Sequence, residues 1–201
     1  ENVIWRYDPI LLSDKYTADY HLRAFEEIAG NLAGYTEKAV ISFVDLYEKT
    51  WRNTRGLGIR LVTEKEMMGL AAEMAQIASK YNLEIESCAE QRDFQKVGIQ
   101  RGSCIDKKLI ERIIGCRLTG QKDKNQRKEC GCFESVEVGV YNTCRNGCRY
   151  CYANFSDEKV KENIKLYSQD APLLCGNIGP DDKITDRKMK SLKNIQLSFF
   201  E

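Results

Sequence analysis

The sequence predicts an α/β fold, a partial or complete (β/α) TIM-like barrel with a cysteine-rich region toward its C-terminal end. The first observation is that apolar segments typical of buried strands alternate with amphipathic helical segments, with about forty residues per unit, as in parallel sheets. The second is that five of the nine cysteines lie between residues 130 and 151. A doubly wound sheet is the alternative, although no glycine-rich dinucleotide fingerprint follows any predicted strand.

The first part of the chain contains two predicted strands with a predicted helix between them. Residues 2–7 form an apolar strand that ends at Asp8-Pro9, and residues 38–46 form a second strand of continuous apolar character. Between them Thr17 is expected to cap a helix. The apolar residues of this helix recur at helical spacing: Leu22, Phe25, Ile28, Ala29 and Leu32.

The same pattern repeats further along the chain. After a polar loop, residues 63–66 form a capping box that opens a helix ending near Asn82, and residues 83–88 follow as a third strand. Asp106 is expected to cap another helix, and Ser156 a later one. The apolar side chains expected to point inward from the helix after Asp106 are Leu109, Ile110, Ile113 and Ile114.

The character of the sequence changes after Gly115, and we place a domain boundary there. Residues 1–115 hold the β/α repeats, whereas residues 116–201 form a cysteine-rich region and a C-terminal tail packed on the same domain. Valines alternate in residues 134–141, which predicts a fourth strand leading into the cysteines. From Asp170 onward, prolines and glycines indicate an extended tail.

Composition and charge narrow the possible partners. With 201 residues, a net charge of +1 and 42% hydrophobic residues, the chain has no overall electrostatic bias toward nucleic acid or an anionic membrane. No apolar run approaches the ~20 residues that span a bilayer, so no membrane partner is expected. Residues 107–128 are a local exception, with eight Lys or Arg and two acids. This stretch is either a solvated surface or a patch that contacts phosphate, so nucleic acid stays open as a partner.

The cysteine count favours reduced thiols. Nine cysteines, an odd number, without a recognisable export signal favour a cytoplasmic protein whose thiols bind metal rather than form disulfides. The chain has no initiator methionine and begins within an apolar strand, so we expect residues before Glu1 to be missing. The single histidine, His21, is expected to pack or cap within its helix rather than to act in catalysis.

The strongest chemical signal is the loop that carries Cys144, Cys148 and Cys151. The spacing Cys-x3-Cys-x2-Cys can place three thiolates on one ion or cluster and leave a fourth position open. Because zinc sites usually take four protein ligands, this set suits a [4Fe–4S] cluster better, with a structural zinc site as the alternative. Gly147 gives the backbone room to curl around the cluster, and Tyr150 can shield one side of it from water.

Four further cysteines form a second candidate metal site: Cys88, Cys104, Cys130 and Cys132. Cys88 ends a predicted strand and Cys104 precedes a predicted helix, so both can reach the mouth of the predicted barrel. With the close pair at residues 130 and 132 they provide four thiolates, which suits a second [4Fe–4S] cluster or zinc. The alternative for Cys88 and Cys104 is that they are buried apolar residues.

Polar side chains stand where the predicted strands emerge at the C-terminal edge of the sheet: Arg6, Asp8, Asp45 and Glu90. This edge is the functional face of a β/α barrel. Arg6 could pair with a carboxylate or phosphate, and the three acids could hold ribose hydroxyls or an ammonium group of a cofactor. The alternative is a set of structural ion pairs at the barrel rim.

The spacing Cys-x3-Cys-x-aromatic-Cys in residues 144–151 resembles the signature of the radical S-adenosylmethionine (radical SAM) enzymes. The resemblance implies that Cys144, Cys148 and Cys151 bind the cluster, that its open iron binds S-adenosylmethionine, and that Tyr150 lies near the adenine. It also implies reductive cleavage to a 5′-deoxyadenosyl radical, with electrons from a donor such as flavodoxin or ferredoxin. In those enzymes the loop follows the first strand and a Gly-Gly-Glu stretch comes later, whereas here it follows at least three predicted strands without such a stretch.

A second resemblance covers nearly the whole chain. Several phrases are similar to a bacterial domain-of-unknown-function family, number eighteen-forty-eight: Val3-Ile4-Trp5-Arg6-Tyr7-Asp8-Pro9-Ile10, Ser42-Phe43-Val44-Asp45, Cys88-Ala89-Glu90, Cys104-Ile105-Asp106, Gln126-Arg127, Cys130-Gly131-Cys132 and Tyr150-Cys151-Tyr152-Ala153-Asn154. Members of that family extend further at the N-terminus. The resemblance implies a barrel like that of the radical SAM enzymes and names no substrate.

Together these observations predict an iron–sulfur enzyme that resembles the radical SAM class and acts on an unknown substrate. The alternative is a non-catalytic binding module stabilised by zinc or an iron–sulfur cluster, with nucleic acid as the first partner to test. The absence of aromatic residues among the basic residues 107–128 favours the enzyme.

Overall fold

A computed structural model describes residues 3–194 of the chain. Within this range the chain divides into two compact units. The first unit comprises residues 3–44, 57–135 and 192–194, and the second comprises residues 45–56 and 136–191. The first unit therefore contains the β/α repeats together with residues 116–135, and each unit is considered by itself below.

The first unit is built on a four-stranded parallel sheet. Its strands are β1 (Trp5–Ile10), β2 (Lys38–Phe43), β3 (Glu84–Cys88) and β4 (Gln100–Gly102), and they lie in the sheet in chain order. The predicted α/β class with a parallel sheet is confirmed. Within residues 3–194 these strands do not close into a barrel.

Two helices cover one face of this sheet. The chain forms α1 (Ala18–Leu32), α2 (Glu48–Asn53), α3 (Glu64–Lys80), α4 (Lys107–Ile114) and α5 (Asp157–Lys165), of which α1 and α3 pack against each other. The core between these two helices and the sheet is apolar, with Phe25, Leu70 and Met74 on the helices and Ile41 and Ile85 on the strands. Because right-handed crossovers in a sequentially ordered sheet place the helices on one side, this packing is the expected one.

The predicted helix starts are confirmed by their hydrogen bonds. The Thr17 side chain accepts from the Tyr20 amide, and Thr63 and Glu66 form the complete capping box. Asp106 accepts from two amides of the first turn of α4, and Ser156 accepts from the Lys159 amide. These caps satisfy amides that the helices themselves leave without partners, so short local patterns were sufficient to locate them.

The single histidine is a packing residue, as predicted. His21 is buried in α1, where its Nδ1 lies 2.8 Å from the Tyr7 hydroxyl and its Nε2 lies 2.8 Å from the Leu11 carbonyl oxygen. A neutral ring satisfies both contacts, with Nε2–H donating to Leu11 and Nδ1 accepting from Tyr7. Burial lowers the pKa of His21, although the hydrogen bond to the Leu11 carbonyl acts in the opposite direction.

Acidification should therefore weaken the first unit through His21. Because its pKa is lower in the folded chain, the unfolded chain binds more protons, and stability is lost as pH falls through the unfolded value of about 6.5. We expect the free energy of unfolding to fall between pH 7.5 and 5.5 by at most about 1.4 kcal/mol per pH unit. His21→Gln should flatten this slope in urea titrations, because it removes the only histidine. An unchanged slope in the variant would contradict this assignment.

The other face of the sheet carries several charged side chains, and the segment 103–135 contacts it. Arg6, Val40 and Glu86 occupy matching register positions on β1, β2 and β3, and Asp8 and Cys88 follow two residues later on their strands. Side chains two residues apart share one face of a sheet. The covering segment reaches this face through Cys104 and Asp106, whose contacts with the sheet are described below.

Lys38 joins this covering segment to the sheet. Its ammonium group lies 2.8 Å from Glu86 Oε1 and 3.1 Å from Asp106 Oδ2, and all three side chains are less than one-fifth exposed. The Asp106 carboxylate also caps α4. One lysine therefore ties the start of α4 to strands β2 and β3.

Several predicted elements differ from the structure. Residues 134–141 form no strand, because Val136, Val138 and Val140 are 39%, 84% and 48% exposed and no described strand pairs with them. Of the apolar residues expected inward on α4, Ile113 and Ile114 are exposed. This helix has only eight residues and is held at its N-terminal end by Asp106 rather than by an apolar stripe.

The edge strands and one short helix were also mispredicted. Strand β1 continues through Pro9 to Ile10, with a shift in its pairing to β2 between Tyr7 and Ile10. An edge strand tolerates proline because its outer amides need no partner. Neither β4 nor α2 was predicted, since β4 has three residues and α2 is polar.

The second unit contains α2, α5 and a long irregular remainder. Val160 of α5 is buried, and residues 170–191 form neither helix nor strand, in agreement with the expected extended tail. None of the helices formed by residues 3–194 is long and apolar enough to cross a membrane.

Candidate functional site

In the first unit, the fold brings two predicted ligands into contact. Cys88 ends β3 and Cys104 lies between β4 and α4, and their sulfur atoms are 3.1 Å apart. The Cys88 side chain is buried, whereas Cys104 is exposed. Because β3 and β4 are neighbouring parallel strands, their ends deliver the two cysteines to the same edge of the sheet.

Arg6 is the charged partner of this sulfur pair. Its Nη1 donates to Cys104 Sγ at 3.1 Å, and its Nη2 forms an ion pair with Asp8. Burial acts to lower the pKa of Arg6, but the Asp8 carboxylate and the neighbouring sulfur pair outweigh it and raise the pKa above its usual value. Arg6 and Asp8, both predicted as cofactor contacts, are therefore engaged with each other at the sulfur pair.

The sulfur pair is set up to carry one negative charge. The hydrogen bond from Cys104, helped by the Arg6 guanidinium, lowers the pKa of Cys88 to about 6 despite its burial. The same shared hydrogen bond, together with burial and the charge on Cys88, raises the pKa of Cys104. Thiolate is the form of cysteine that binds metals, so this pair is electrostatically prepared to bind a cation.

Cys130 and Cys132 are buried, and they lie near enough to interact electrostatically with this pair. The Ile105 amide donates to Cys132 Sγ at 3.4 Å, and the Phe133 amide donates to the Ile105 carbonyl at 2.9 Å. A side chain at Gly131 would come within 3.2 Å of the Gly102 carbonyl oxygen, so glycine permits this close approach. The segment around residues 130–132 thus lies directly against the backbone that carries Cys104.

The other two acids predicted at the strand ends have different surroundings. Glu90 accepts a hydrogen bond from the Phe43 amide at 2.6 Å, so it ties the end of β2 to the chain that follows β3. Asp45 belongs to the second unit, where the Tyr47 hydroxyl lies 3.3 Å from its carboxylate. The Glu90 hydrogen bond is a structural contact within the first unit.

In the second unit, Asn142 closes the base of the cysteine loop. Its side-chain oxygen accepts from the Phe155 amide at 2.6 Å and from the Ser156 amide at 3.2 Å. Its own amide donates to the Ala153 carbonyl at 3.1 Å, and Asn163 of α5 donates to its carbonyl at 3.1 Å. One residue therefore joins both ends of the loop to the start of α5, which local sequence patterns did not predict.

Two further residues of the second unit support the loop. The Asn154 side chain donates to the Cys144 carbonyl at 2.7 Å. The ammonium group of Lys49, on α2, lies 4.0 Å from the centre of the Phe155 ring and donates to the Asn154 carbonyl. The polar helix α2 thus has a structural role that its composition did not indicate.

The three loop cysteines are accessible. Cys144 and Cys148 are exposed, Cys151 is half-buried, and the Cys151 amide donates to the Cys148 carbonyl at 3.0 Å. Gly147 has a φ of +63°, as expected for the residue that turns the loop. Tyr150, between the last two cysteines, is also exposed.

A cavity of about 600 Å³ opens beside Cys148 in the second unit. It is lined by the loop and by the first residues of α5, and Asn154 contributes to its wall. The Asn154 side-chain oxygen is buried and has no hydrogen-bond partner, while its nitrogen is held by Cys144. An acceptor without a partner is costly unless a ligand or water donates to it, so this cavity is suited to a polar ligand.

Neither set of cysteines is preassembled around a common point. Across residues 3–194, no three side chains of His, Cys, Asp or Glu are already arranged to hold a metal ion. The chemistry of both sets nevertheless suits metal: thiols are the donors that zinc and iron–sulfur clusters take. Binding would therefore require the thiol side chains to turn toward one another.

The basic residues 107–128 are partly occupied by internal contacts. Lys107 pairs with Glu111, Arg112 pairs with Glu37 at 2.7 Å, and Lys122 donates to two backbone carbonyls. Because these cationic side chains already have partners within the chain, they are less available to bind phosphate. The contacts therefore favour a solvated surface over a patch that contacts phosphate.

The chain belongs to the family described as a domain of unknown function (DUF1848), which it matches over residues 1–153. The predicted family resemblance is thereby confirmed. The matched span includes all seven predicted ligand cysteines and ends immediately before Asn154. No curated protein and no solved structure matches the chain.

Proposed function

We propose that this chain is an iron–sulfur protein that resembles the radical SAM enzymes, with a [4Fe–4S] cluster bound by Cys144, Cys148 and Cys151. The observation that carries the proposal is the three-thiol loop closed at its base by Asn142, with an open cavity beside Cys148. Three thiolates leave one iron without a protein ligand. When bound, such a cluster supplies the electron that cleaves S-adenosylmethionine, and the substrate of that chemistry is unknown.

The residues around the loop suit this cofactor. The free oxygen of Asn154 can accept a hydrogen bond from an ammonium or hydroxyl group of S-adenosylmethionine in the cavity. Tyr150 precedes the last cysteine and can stack on the adenine. Asp45 of the same unit remains a candidate for the ribose hydroxyls.

The sheet of the first unit is compatible with part of a β/α barrel. Its four parallel strands follow one another in chain order with α1 and α3 on one face. A barrel requires this sequential order, whereas a doubly wound sheet reverses its strand order at a switch point. We propose a TIM-like barrel of the radical SAM type, a cytoplasmic location and a flavodoxin- or ferredoxin-like electron donor.

The test is made on the full chain, purified and reconstituted without oxygen. Iron, acid-labile sulfide and zinc are measured, and dithionite and S-adenosylmethionine are then added while 5′-deoxyadenosine is followed. We expect about four irons on the loop and release of 5′-deoxyadenosine. Cys148→Ala should abolish both, while its circular dichroism stays that of the parent. Cys175→Ala, a cysteine of the same unit outside the loop, is the matched control and should retain both.

Two outcomes would overturn the proposal. Zinc alone on the loop, without cleavage of S-adenosylmethionine, would indicate a metal-stabilised binding module. Global unfolding of Cys148→Ala in the presence of iron would mean that the loop is a structural site. If zinc alone is found, binding of RNA and DNA fragments should be measured next, because residues 107–128 still carry a local excess of positive charge.

A further inference from the structure

We infer that the first unit holds a second, separate metal site, in which Cys88, Cys104, Cys130 and Cys132 bind one structural Zn²⁺. The inference does not rest on the proposed function, because all four residues belong to the first unit and the loop cysteines belong to the second. It rests on the sulfur contact at the sheet edge and on the environment of that contact.

The sulfur spacing favours a single ion over a cluster. Two thiolates on one tetrahedral zinc, with Zn–S bonds of 2.3 Å, lie about 3.8 Å apart. The Cys88 and Cys104 sulfurs, at 3.1 Å, are already near this spacing. The four cysteines of a [4Fe–4S] cluster bind four different irons and must lie further apart. A small outward movement of one sulfur would admit zinc, whereas a cluster would require the strand ends to separate.

Two donors are already directed at the sulfurs. Arg6 Nη1 donates to Cys104 Sγ at 3.1 Å, and the Ile105 amide donates to Cys132 Sγ at 3.4 Å. A zinc ion with four thiolates carries a net charge of −2, so hydrogen bonds and a nearby cation stabilise it. These contacts link Cys104 and Cys132 through adjacent backbone positions, which places both in the same small region.

The site would be largely enclosed, with Cys104 as the one exposed ligand of the four. Cys88, Cys130 and Cys132 are buried, yet none of them belongs to the apolar core that packs between the sheet and its helices. Zinc binding requires the Cys130 and Cys132 sulfurs to turn toward the Cys88–Cys104 pair. The ion would then link the segment 103–135 to the end of β3. This link would keep the segment packed on the second face of the sheet.

The experiment uses the full chain purified anaerobically from medium containing zinc and iron. We expect about one zinc per chain, and thermal unfolding at a lower temperature after a zinc-selective chelator removes it. The triple change Cys144→Ser, Cys148→Ser and Cys151→Ser should keep this zinc, whereas Cys130→Ser with Cys132→Ser should lose it. Cys116→Ser with Cys175→Ser is the matched control and should retain it.

Cobalt binding is measured on the parent protein, so this test does not depend on whether the cysteine variants fold. Chelator-treated parent protein titrated with Co²⁺ should show the absorption bands of a tetrahedral ion with four thiolates, displaced by Zn²⁺. Arg6→Gln leaves every ligand in place and should weaken zinc binding by roughly tenfold or more, because it removes a hydrogen bond to a ligand.

Three outcomes would overturn the inference. Parent protein without zinc, or with iron in the first unit after the loop cysteines are replaced, excludes a zinc site. A Cys88–Cys104 disulfide in air-free protein, detected by mass spectrometry, would show that the sulfur contact is a redox pair instead. Failure of the loop to bind iron leaves the zinc inference unaffected, so the two proposals fail separately.

Discussion

Replacing Asn142 by alanine is expected to open the cysteine loop and to strip most of the iron from anaerobically reconstituted protein. Asn142 has a φ of 60°, in the left-handed region that asparagine tolerates better than alanine. Its side-chain oxygen is also the acceptor for the Phe155 and Ser156 amides. The lost acceptor and the added backbone strain together cost about 3 kcal/mol, which favours the open loop about a hundredfold more than in the parent.

The effect can be measured without a cluster. In the metal-free protein, Asn142→Ala should speed hydrogen exchange at the Phe155 and Ser156 amides and expose residues 142–155 to protease. Asn142→Asp is the matched control, because it retains an acceptor oxygen and also tolerates the left-handed conformation. If Asn142→Ala binds iron as well as Asn142→Asp does, the base of the loop is not what positions the three thiols.

Local patterns were sufficient to predict most of the first unit. Apolar periodicity located β1, β2, β3, α1 and α3, and cap residues located the starts of α4 and α5. These signals lie within a few residues of the element that they define, so they do not depend on the rest of the fold. Where an observed boundary differs from the predicted one, as in the extension of β1 to Ile10, the boundary depends on which strand lies alongside.

The errors come from contacts between distant residues. Alternating valines at positions 136, 138 and 140 have the period of a strand, but a strand also needs a partner, and none of the described strands pairs with them. Strand β4 shows the reverse case: its three residues carry no pattern, yet they pair with Glu86, Ser87 and Cys88. The period of an apolar pattern therefore predicts which side chains share a face, whereas the presence of a neighbouring strand determines whether a sheet forms.

The candidate sites divide in the same way. Cysteine spacing identified only candidate donors, because residue type and separation are what define a possible ligand set. The groups that hold the donors were missed: Asn142 closes the loop across thirteen or fourteen residues, and Arg6 reaches Cys104 across ninety-eight. Arg6 was expected to contact a cofactor at the strand end, but it is the second residue of β1, and its guanidinium donates to the Cys104 thiol.

Lys38→Met is expected to lower the free energy of unfolding of the first unit by about 3 kcal/mol. The Lys38 side chain is 15% exposed, and its partners Glu86 and Asp106 are 17% and 19% exposed. Burial acts to lower the pKa of Lys38, but its hydrogen bonds to both carboxylates outweigh burial and raise it, so the ammonium group stays charged. Without it, two carboxylates remain close together in a poorly solvated position, and α4 loses the anchor of its cap residue.

Chemical denaturation of two variants separates this effect from the general loss of a surface charge. Lys80→Met removes an ion pair with Glu26 whose side chains are 62% and 42% exposed, and it should lower the stability far less than Lys38→Met does. Glu86→Gln combined with Lys38→Met should recover part of the stability, because one of the two uncompensated charges is gone. If Lys38→Met and Lys80→Met lower the free energy of unfolding equally, water still screens the Lys38 ammonium group. In that case other contacts hold α4 over the sheet.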